Sequence, residues 1–464
     1  MLFGIFFHPV QPIIPNKTFS MINGIKRTLS RNFRNIYLAK ETQFSLIAMG
    51  RFTLKCLKCG REYGQEYRLT CENDDSLLRA EYFEKKLELR NQPGIGRFHS
   101  WLPVQEELTT EAGPITYKSE ALAKELGLSN LYIGFSGYWP ERGAFIKTCS
   151  FKELEAHPTM QLLKESGGKA IVLASAGNTG RAFAYASALT GTDAYIVVPD
   201  SGVSSIWLPE KPTDSIHLIS MTPGNDYTDA INLAGRLAKL PGIVPEGGAR
   251  NVARREGMGT VMLDAAVTIG KMPDHYFQAV GSGTGGMSAW EASLRLRADG
   301  RFGSKLPKLQ LAQNLPFVPM YNAWKAGRRQ IIPDIDMKDA KKQIEETYAT
   351  VLTNRAPPYS VTGGLYDALA DTDGIMYAVT REEALEAKAL FESLEGIDIL
   401  PPSAVAASSL LKAVEAGNVG IDDVVLLNIA GGGFERLKKD FKLFQVKPSV
   451  TVSSSDVPLE ELKI

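Results

Sequence analysis

Along this chain, short uninterrupted apolar runs alternate with longer segments in which apolar residues recur every three or four positions. Seven runs read as buried strands: Leu131–Phe135, Ala170–Ala174, Ala194–Val198, Ile216–Ser220, Tyr276–Val280, Leu309–Gln313 and Val424–Ile429. A strand that is apolar at nearly every position is covered on both faces, as in a parallel sheet between helices. Helical spacing follows three of them. Leu154, Met160, Leu162 and Leu163 recur after Phe151, with Pro158 expected to interrupt the first turns, and Arg181–Ala186 and Met287–Leu296 follow two further strands. The alternation predicts an α/β fold of parallel or mostly parallel sheets covered by helices.

The candidate chemistry lies where strand gives way to helix. Ser175-Ala176-Gly177-Asn178-Thr179-Gly180 and Gly281-Ser282-Gly283-Thr284-Gly285-Gly286 each lead from a strand into a helix. Small residues there leave backbone N–H groups free to meet an anion, and glycine lets the backbone approach a phosphate closely. A third junction, Thr148-Cys149-Ser150-Phe151-Lys152-Glu153, carries a lysine. Partly out of water, a lysine loses its proton more readily and can form a Schiff base. Taken singly, the lysine is a surface group and each turn a tight connection. In this order the three support one another. Gly281–Gly286 also spells G-x-G-x-x-G, but Glu291 and Asp299 come too early to serve a dinucleotide's ribose. His8, His99, His157, His217 and His275 show no metal or triad spacing.

This order resembles the pyridoxal-phosphate enzymes of the tryptophan synthase β group, most closely the threonine synthases and, among their relatives, the cysteate-forming branch of methanogenic archaea. Arg97–Pro103, Glu111–Tyr117 and Ser119–Gly127 are similar to the start of that family's catalytic region, and the likeness runs roughly from Arg51 to Phe441. Two departures from threonine synthase point to the branch. Cys149 stands where glycine usually precedes the serine, with Glu153 and Leu154 where aspartate and arginine follow the lysine, and Gly431-Gly432-Gly433-Phe434-Glu435 departs near the C-terminus. The resemblance implies a two-lobed fold type II enzyme with a small N-terminal zinc-ribbon-like module. Residues 1–48 would be an extension outside the fold, 49–104 the module, 105–150 and 246–445 the large cofactor-binding domain, 151–245 the small domain, and 446–464 a tail.

The resemblance also implies site roles. Lys152 would be the Schiff-base lysine, Asn178 would contact the cofactor's ring hydroxyl, and Gly281, Ser282, Gly283, Thr284 and Gly285 would hold its phosphate. Ser175, Gly177 and Thr179, with Asn178, would receive the substrate carboxylate. Arg181, where the family usually has a small neutral residue, is the leading candidate for the phosphate and sulfite anions, ahead of Arg142, Lys147, Arg250, Arg254 and Arg255. Ala430 falls where a serine or threonine hydroxyl would meet the pyridine nitrogen, and alanine has no donor. Water or a neighbouring backbone group would have to substitute, or the cofactor is tuned differently. The implied reaction replaces the phosphate of O-phospho-L-serine with sulfite, giving L-cysteate for coenzyme M. Threonine synthesis from O-phosphohomoserine and water is one alternative, and a non-catalytic amino-acid sensor another. The family commonly self-associates, so a homo-oligomer is expected.

Composition narrows the picture. A chain of 464 residues has room for two lobes and a small module. Lys+Arg and Asp+Glu both number 52, which argues against a nucleic acid or an anionic membrane as partner. Four cysteines are too few for a disulfide scaffold and fit a reducing cytoplasm. The apolar run Leu2–Ile14 is short and broken by prolines, and the basic stretch after it has no acidic residue before Glu41. An organelle transit peptide is one reading, and a start codon read too far upstream is preferred. Cys56-Leu57-Lys58-Cys59-Gly60 has the form of a zinc knuckle, but its partner half, Cys71-Glu72-Asn73-Asp74, lacks one thiol. Structural zinc takes four ligands, so Asp74 is the candidate fourth, and a ribbon that folds without metal is preferred.

Overall fold

In the computed structural model, residues 50–175 and 177–462 are described, and the expectations for residues 1–48 lie outside them. All seven expected strands form, with ends shifted by at most one residue. They make up most of two sheets. The larger has six strands in the order Ile375–Val379, Lys308–Asn314, His275–Ala279, Val424–Ile429, Asn130–Phe135 and Ile115–Lys118. All its neighbours are parallel except the last pair. The smaller has five parallel strands, Ile243–Pro245, Ala170–Ala174, Asp193–Pro199, Ile216–Met221 and Val450–Val452.

Burial explains why these runs are apolar throughout. In the smaller sheet Ile171, Leu173, Ile196 and Val198 pack on one face, while Ala170, Val172, Tyr195 and Val197 pack on the other. The larger sheet does the same. Ile133, Phe135, Phe277, Leu427 and Ile429 face one layer, and Tyr276, Leu309, Leu311 and Leu426 the opposite one. Segment 446–464, read as a tail, supplies Val450–Val452 as the edge strand of the smaller sheet, with Val452 and Leu462 in its core. The N-terminal module is a three-stranded antiparallel sheet with Phe52–Cys56 between Glu62–Tyr63 and Leu78–Tyr82.

Pro158 does not interrupt its helix, which runs from Lys152 to Glu165. Proline forfeits one hydrogen bond, here to the carbonyl of Leu154. Gly257, on the adjacent helix Val252–Ile269, fills the space beside it: a Cβ there would lie 2.1 Å from the Leu154 oxygen. The two helices cross closely where the proline would otherwise kink the first. Among the described residues no helix is long and apolar enough to cross a membrane.

Candidate active site

Lys152 is held by the chain on both sides. It opens its helix, and the segment before it lies against the exit of the central strand Val424–Ile429. Phe151 N–H donates to the Ala430 carbonyl at 3.0 Å and Gly432 N–H to the Cys149 carbonyl at 3.1 Å. Cys149 takes a left-handed φ of 54°, a conformation a non-glycine residue holds only where its surroundings impose it. The Lys152 Nζ lies 3.3 Å from Glu155 Oε2. Glu155 is fully buried, and Arg254 reaches it at 3.1 Å and Glu246 at 2.7 Å. Burial lowers the proton affinity of Lys152 below that of a solvent lysine, and Glu155 partly restores it.

The first glycine turn follows strand Ala170–Ala174 and opens helix Asn178–Thr190. The Ser175 hydroxyl accepts from Gly180 N–H at 2.9 Å, which fixes the turn. Arg181 does not face outward as an anion receptor. Its Nε donates to the Thr148 carbonyl and its Nη1 to the Ser205 carbonyl, both at 3.2 Å, and its Nη2 to Asn178 Oδ1 at 2.7 Å. Its guanidinium also stacks 4.4 Å from the Trp207 ring. No carboxylate pairs with it among the described residues, and burial lowers its pKa to about 10. Thus Arg181 ties the Lys152 segment to the first turn and fixes the orientation of the Asn178 carboxamide, with Oδ1 on the arginine and Nδ2 left to donate elsewhere.

The second turn follows strand His275–Ala279 and opens helix Thr284–Asp299. Glycine is needed within the turn. Gly283 has a φ of 82°, and a Cβ on Gly285 would lie 2.1 Å from Gln278 Nε2. The Ser282 and Thr284 hydroxyls are 2.6 Å apart beside the amides that open the helix. These amides and hydroxyls form a nest suited to a phosphate.

Segment Thr350–Leu352 passes over both turns. A Cβ on Gly281 would lie 2.8 Å from the Leu352 carbonyl oxygen, and one on Gly177 would lie 3.2 Å from Val351 Cγ1. Lys152, Ala430, Ser175, Gly177, Asn178, Thr179, Gly281 and Ser282 are all partly exposed between buried elements. Together they offer a reactive amine, an anion nest and an oriented carboxamide, groups that suit a planar phosphorylated aldehyde. The other cationic candidates are engaged elsewhere. Arg142 stacks 4.3 Å from Tyr117 and 4.7 Å from Trp139, and Lys147 sits 3.4 Å from Glu210. Arg250 bonds the Asp75 carbonyl at 3.0 Å, and Arg255 pairs with Glu291 at 2.9 Å. Glu155, which escaped sequence reasoning, carries no distinguishing signal beyond lying one helical turn after Lys152.

In the N-terminal module the ligand atoms of Cys56, Cys59, Cys71 and Asp74 all lie within 4.8 Å of one another. Cys59 Sγ is 3.5 Å from Cys71 Sγ, and Cys56 Sγ is 3.4 Å from both Asp74 oxygens.

Comparison with known proteins places the chain in a family. The family model described as pyridoxal-phosphate dependent enzyme matches residues 116–431, more than half of the chain. Cysteate synthase of Methanosarcina mazei is 93% identical over 416 residues, covering 90% of this chain and 100% of that protein. Cysteate synthase of Methanocella paludicola is 58% identical, covering 89% and 97%. Among solved structures, maize serine racemase has a TM-score of 0.52 at 16% identity, covering 70% of this chain and 91% of that one, a likeness of fold alone.

Proposed function

The chain belongs to the pyridoxal-phosphate-dependent enzymes and, within them, to the cysteate synthases, and from that premise we propose that it exchanges the phosphate of O-phospho-L-serine for sulfite. The products are L-cysteate, an intermediate on the way to coenzyme M, and inorganic phosphate. The observation that carries the reading is the Lys152 amine beside a buried carboxylate, on a segment that Arg181 ties to the first glycine turn. Pyridoxal phosphate, when bound, supplies the electron sink for charge left at the substrate's Cα.

The residues divide the remaining work. Lys152 attaches the cofactor, and its neutral amine is the base for the α-proton. The amides and hydroxyls of Ser175, Gly177, Asn178 and Thr179 hold the substrate carboxylate at a helix N-terminus. Asn178 would present its Nδ2 to the cofactor's ring oxygen, and Gly281–Gly285 would hold the cofactor phosphate. With the α-proton on Lys152, the leaving phosphate departs from Cβ with the electron pair of the C–O bond. The sulfur lone pair of sulfite then forms the new C–S bond, and Lys152 returns a proton to Cα. The Thr350–Leu352 segment limits water at the turns. We place this chemistry in the cytoplasm, in a homo-oligomer.

Purified protein supplied with pyridoxal phosphate, phosphoserine and sulfite should yield cysteate and phosphate in equal amounts. Phosphate release without cysteate, or turnover of phosphohomoserine alone, would overturn the reading.

The N-terminal donor set of three thiols and a carboxylate suits tetrahedral zinc, and we propose, against the metal-free expectation, that the module holds one ion. Metal analysis should find about one zinc per chain, with Asp74→Ala lowering it. A metal-free protein of unchanged stability would return the module to the metal-free reading.

A further inference from the structure

Ala430 leaves the ring nitrogen of the cofactor without a side-chain donor, yet a buried polar atom without a partner is costly. The larger sheet supplies one a strand away. Strands Val424–Ile429 and Asn130–Phe135 are parallel, with Ile429 opposite Phe135 and Asn428 opposite Gly134. Continued by one residue, the register sets Ser136 opposite Ala430. Residues opposite one another in a parallel pair project to the same face, so the Ser136 side chain shares the face of Ala430. The backbone there is tightly held. Ser136 N–H donates to the Ile429 carbonyl at 2.9 Å and Tyr138 N–H to the Gly432 carbonyl at 3.1 Å. A Cβ on the intervening Gly137 would lie 2.3 Å from the Gly432 oxygen.

Ser136 is fully buried, and among the described residues its hydroxyl has no hydrogen-bond partner. Asn428 Oδ1, on the same face two residues before Ala430, is likewise unpartnered. However, the Asn428 amide nitrogen is spent on the Tyr276 hydroxyl at 2.8 Å, so its free atom can only accept. The Ser136 hydroxyl can donate. An unprotonated pyridine nitrogen needs a donor and is poorly served by a second acceptor.

We propose that Ser136 donates the hydrogen bond to the cofactor's pyridine nitrogen that position 430 cannot give. The assignment rests on the reading that Lys152 carries pyridoxal phosphate and that its ring lies over Ala430. It makes Ser136 a cofactor-contacting residue: the hydroxyl would hold the ring nitrogen unprotonated.

The test uses holoenzyme loaded with pyridoxal phosphate labelled with nitrogen-15 in the ring. In Ser136→Ala the ring-nitrogen chemical shift should move away from its wild-type value, and cofactor affinity should fall about fivefold to tenfold, the worth of one neutral hydrogen bond. Ala430→Ser added to Ser136→Ala should restore both. Should Ser136→Ala fold poorly, Ser136→Cys keeps the volume with a weaker donor, and an intermediate shift is expected. A wild-type ring-nitrogen shift in Ser136→Ala, or in Ser136→Cys where that is the variant used, would overturn the assignment. The underlying reading fails separately, by persistence of the lysine–cofactor absorbance band in Lys152→Ala.

Discussion

At the scale of single residues, Lys152 stands between two opposed influences. Burial draws its proton affinity down, and Glu155 draws it back up. Attachment to a carbonyl requires the neutral amine, so its rate should rise with pH through the lysine's pKa. Glu155→Gln removes the carboxylate that raises that pKa and keeps Arg254, which lowers it. The midpoint of attachment rate against pH, followed by growth of the lysine–cofactor absorbance, should therefore move to lower pH. A midpoint that stays or rises would mean that Glu155 does not tune the lysine. Arg181 makes a second prediction. Among the described residues its only side-chain acceptor is Asn178 Oδ1, so Arg181→Ala should weaken cofactor binding by up to about tenfold, the worth of the neutral Asn178–cofactor hydrogen bond that Arg181 orients. The KM for phosphoserine should change little while kcat falls. A raised KM with intact cofactor affinity would return Arg181 to the substrate. The candidate lysine and the two turns were legible because each stands at a strand-to-helix junction that the apolar pattern marks, and the structure puts them there. The surroundings of Glu155 and Ser136 were not, because the neighbours concerned, Arg254 and the strand Val424–Ile429, come near only in the folded helices and sheet.

Among the elements, strands covered on both faces announced themselves, whereas edge strands did not. Ile115–Lys118 and Val450–Val452 mix polar with apolar positions on single edges of their sheets. Ile375–Val379 is as apolar as its neighbours, but a five-residue apolar run leading into a helix can equally be part of that helix. Pro158 misled for a different reason. Proline disfavours a helix interior by its own chemistry, but here packing against Gly257 compensates. That contact carries a prediction. Gly257→Ala would place a methyl 2.1 Å from the Leu154 backbone oxygen, where no flexible side chain can yield. The two helices must separate, and overpacking of this kind costs about 1–3 kcal/mol. Urea unfolding should show the loss. Activity should fall further than stability predicts, since the helix that moves begins at Lys152. An unchanged denaturation midpoint would mean the helices do not meet as closely as described.

At the scale of the described fold, the N-terminal module is fastened to helices Val252–Ile269 and Thr284–Asp299 by buried charge. Glu291 is 1% exposed and accepts from Arg255 at 2.9 Å, and Arg79 on the module strand Leu78–Tyr82 lies 3.3 Å away. Arg255 also donates to the carbonyls of Leu78 and Ala249, so one guanidinium joins module, helix and loop. Burial alone would raise the pKa of Glu291, but Arg255 and Arg79 more than offset it and hold it below the usual carboxylate range. A depressed carboxylate stabilises the fold above its ordinary pKa and ceases to do so as pH falls through its folded value. Glu291→Gln strands two arginines, one of them fully buried, and should cost about 3–5 kcal/mol at neutral pH. That is a large share of the roughly 5–15 kcal/mol by which a domain is stable. The deficit should shrink below the carboxylate range, where wild type also loses the charge. Unfolding free energies of both proteins, measured from neutral to acid pH, should therefore converge. A difference independent of pH would assign the loss to packing rather than to the ion pairs. Because the module strand is bonded directly to Arg255, its amide protons should exchange faster in the variant than those of the smaller sheet, which shares none of these contacts.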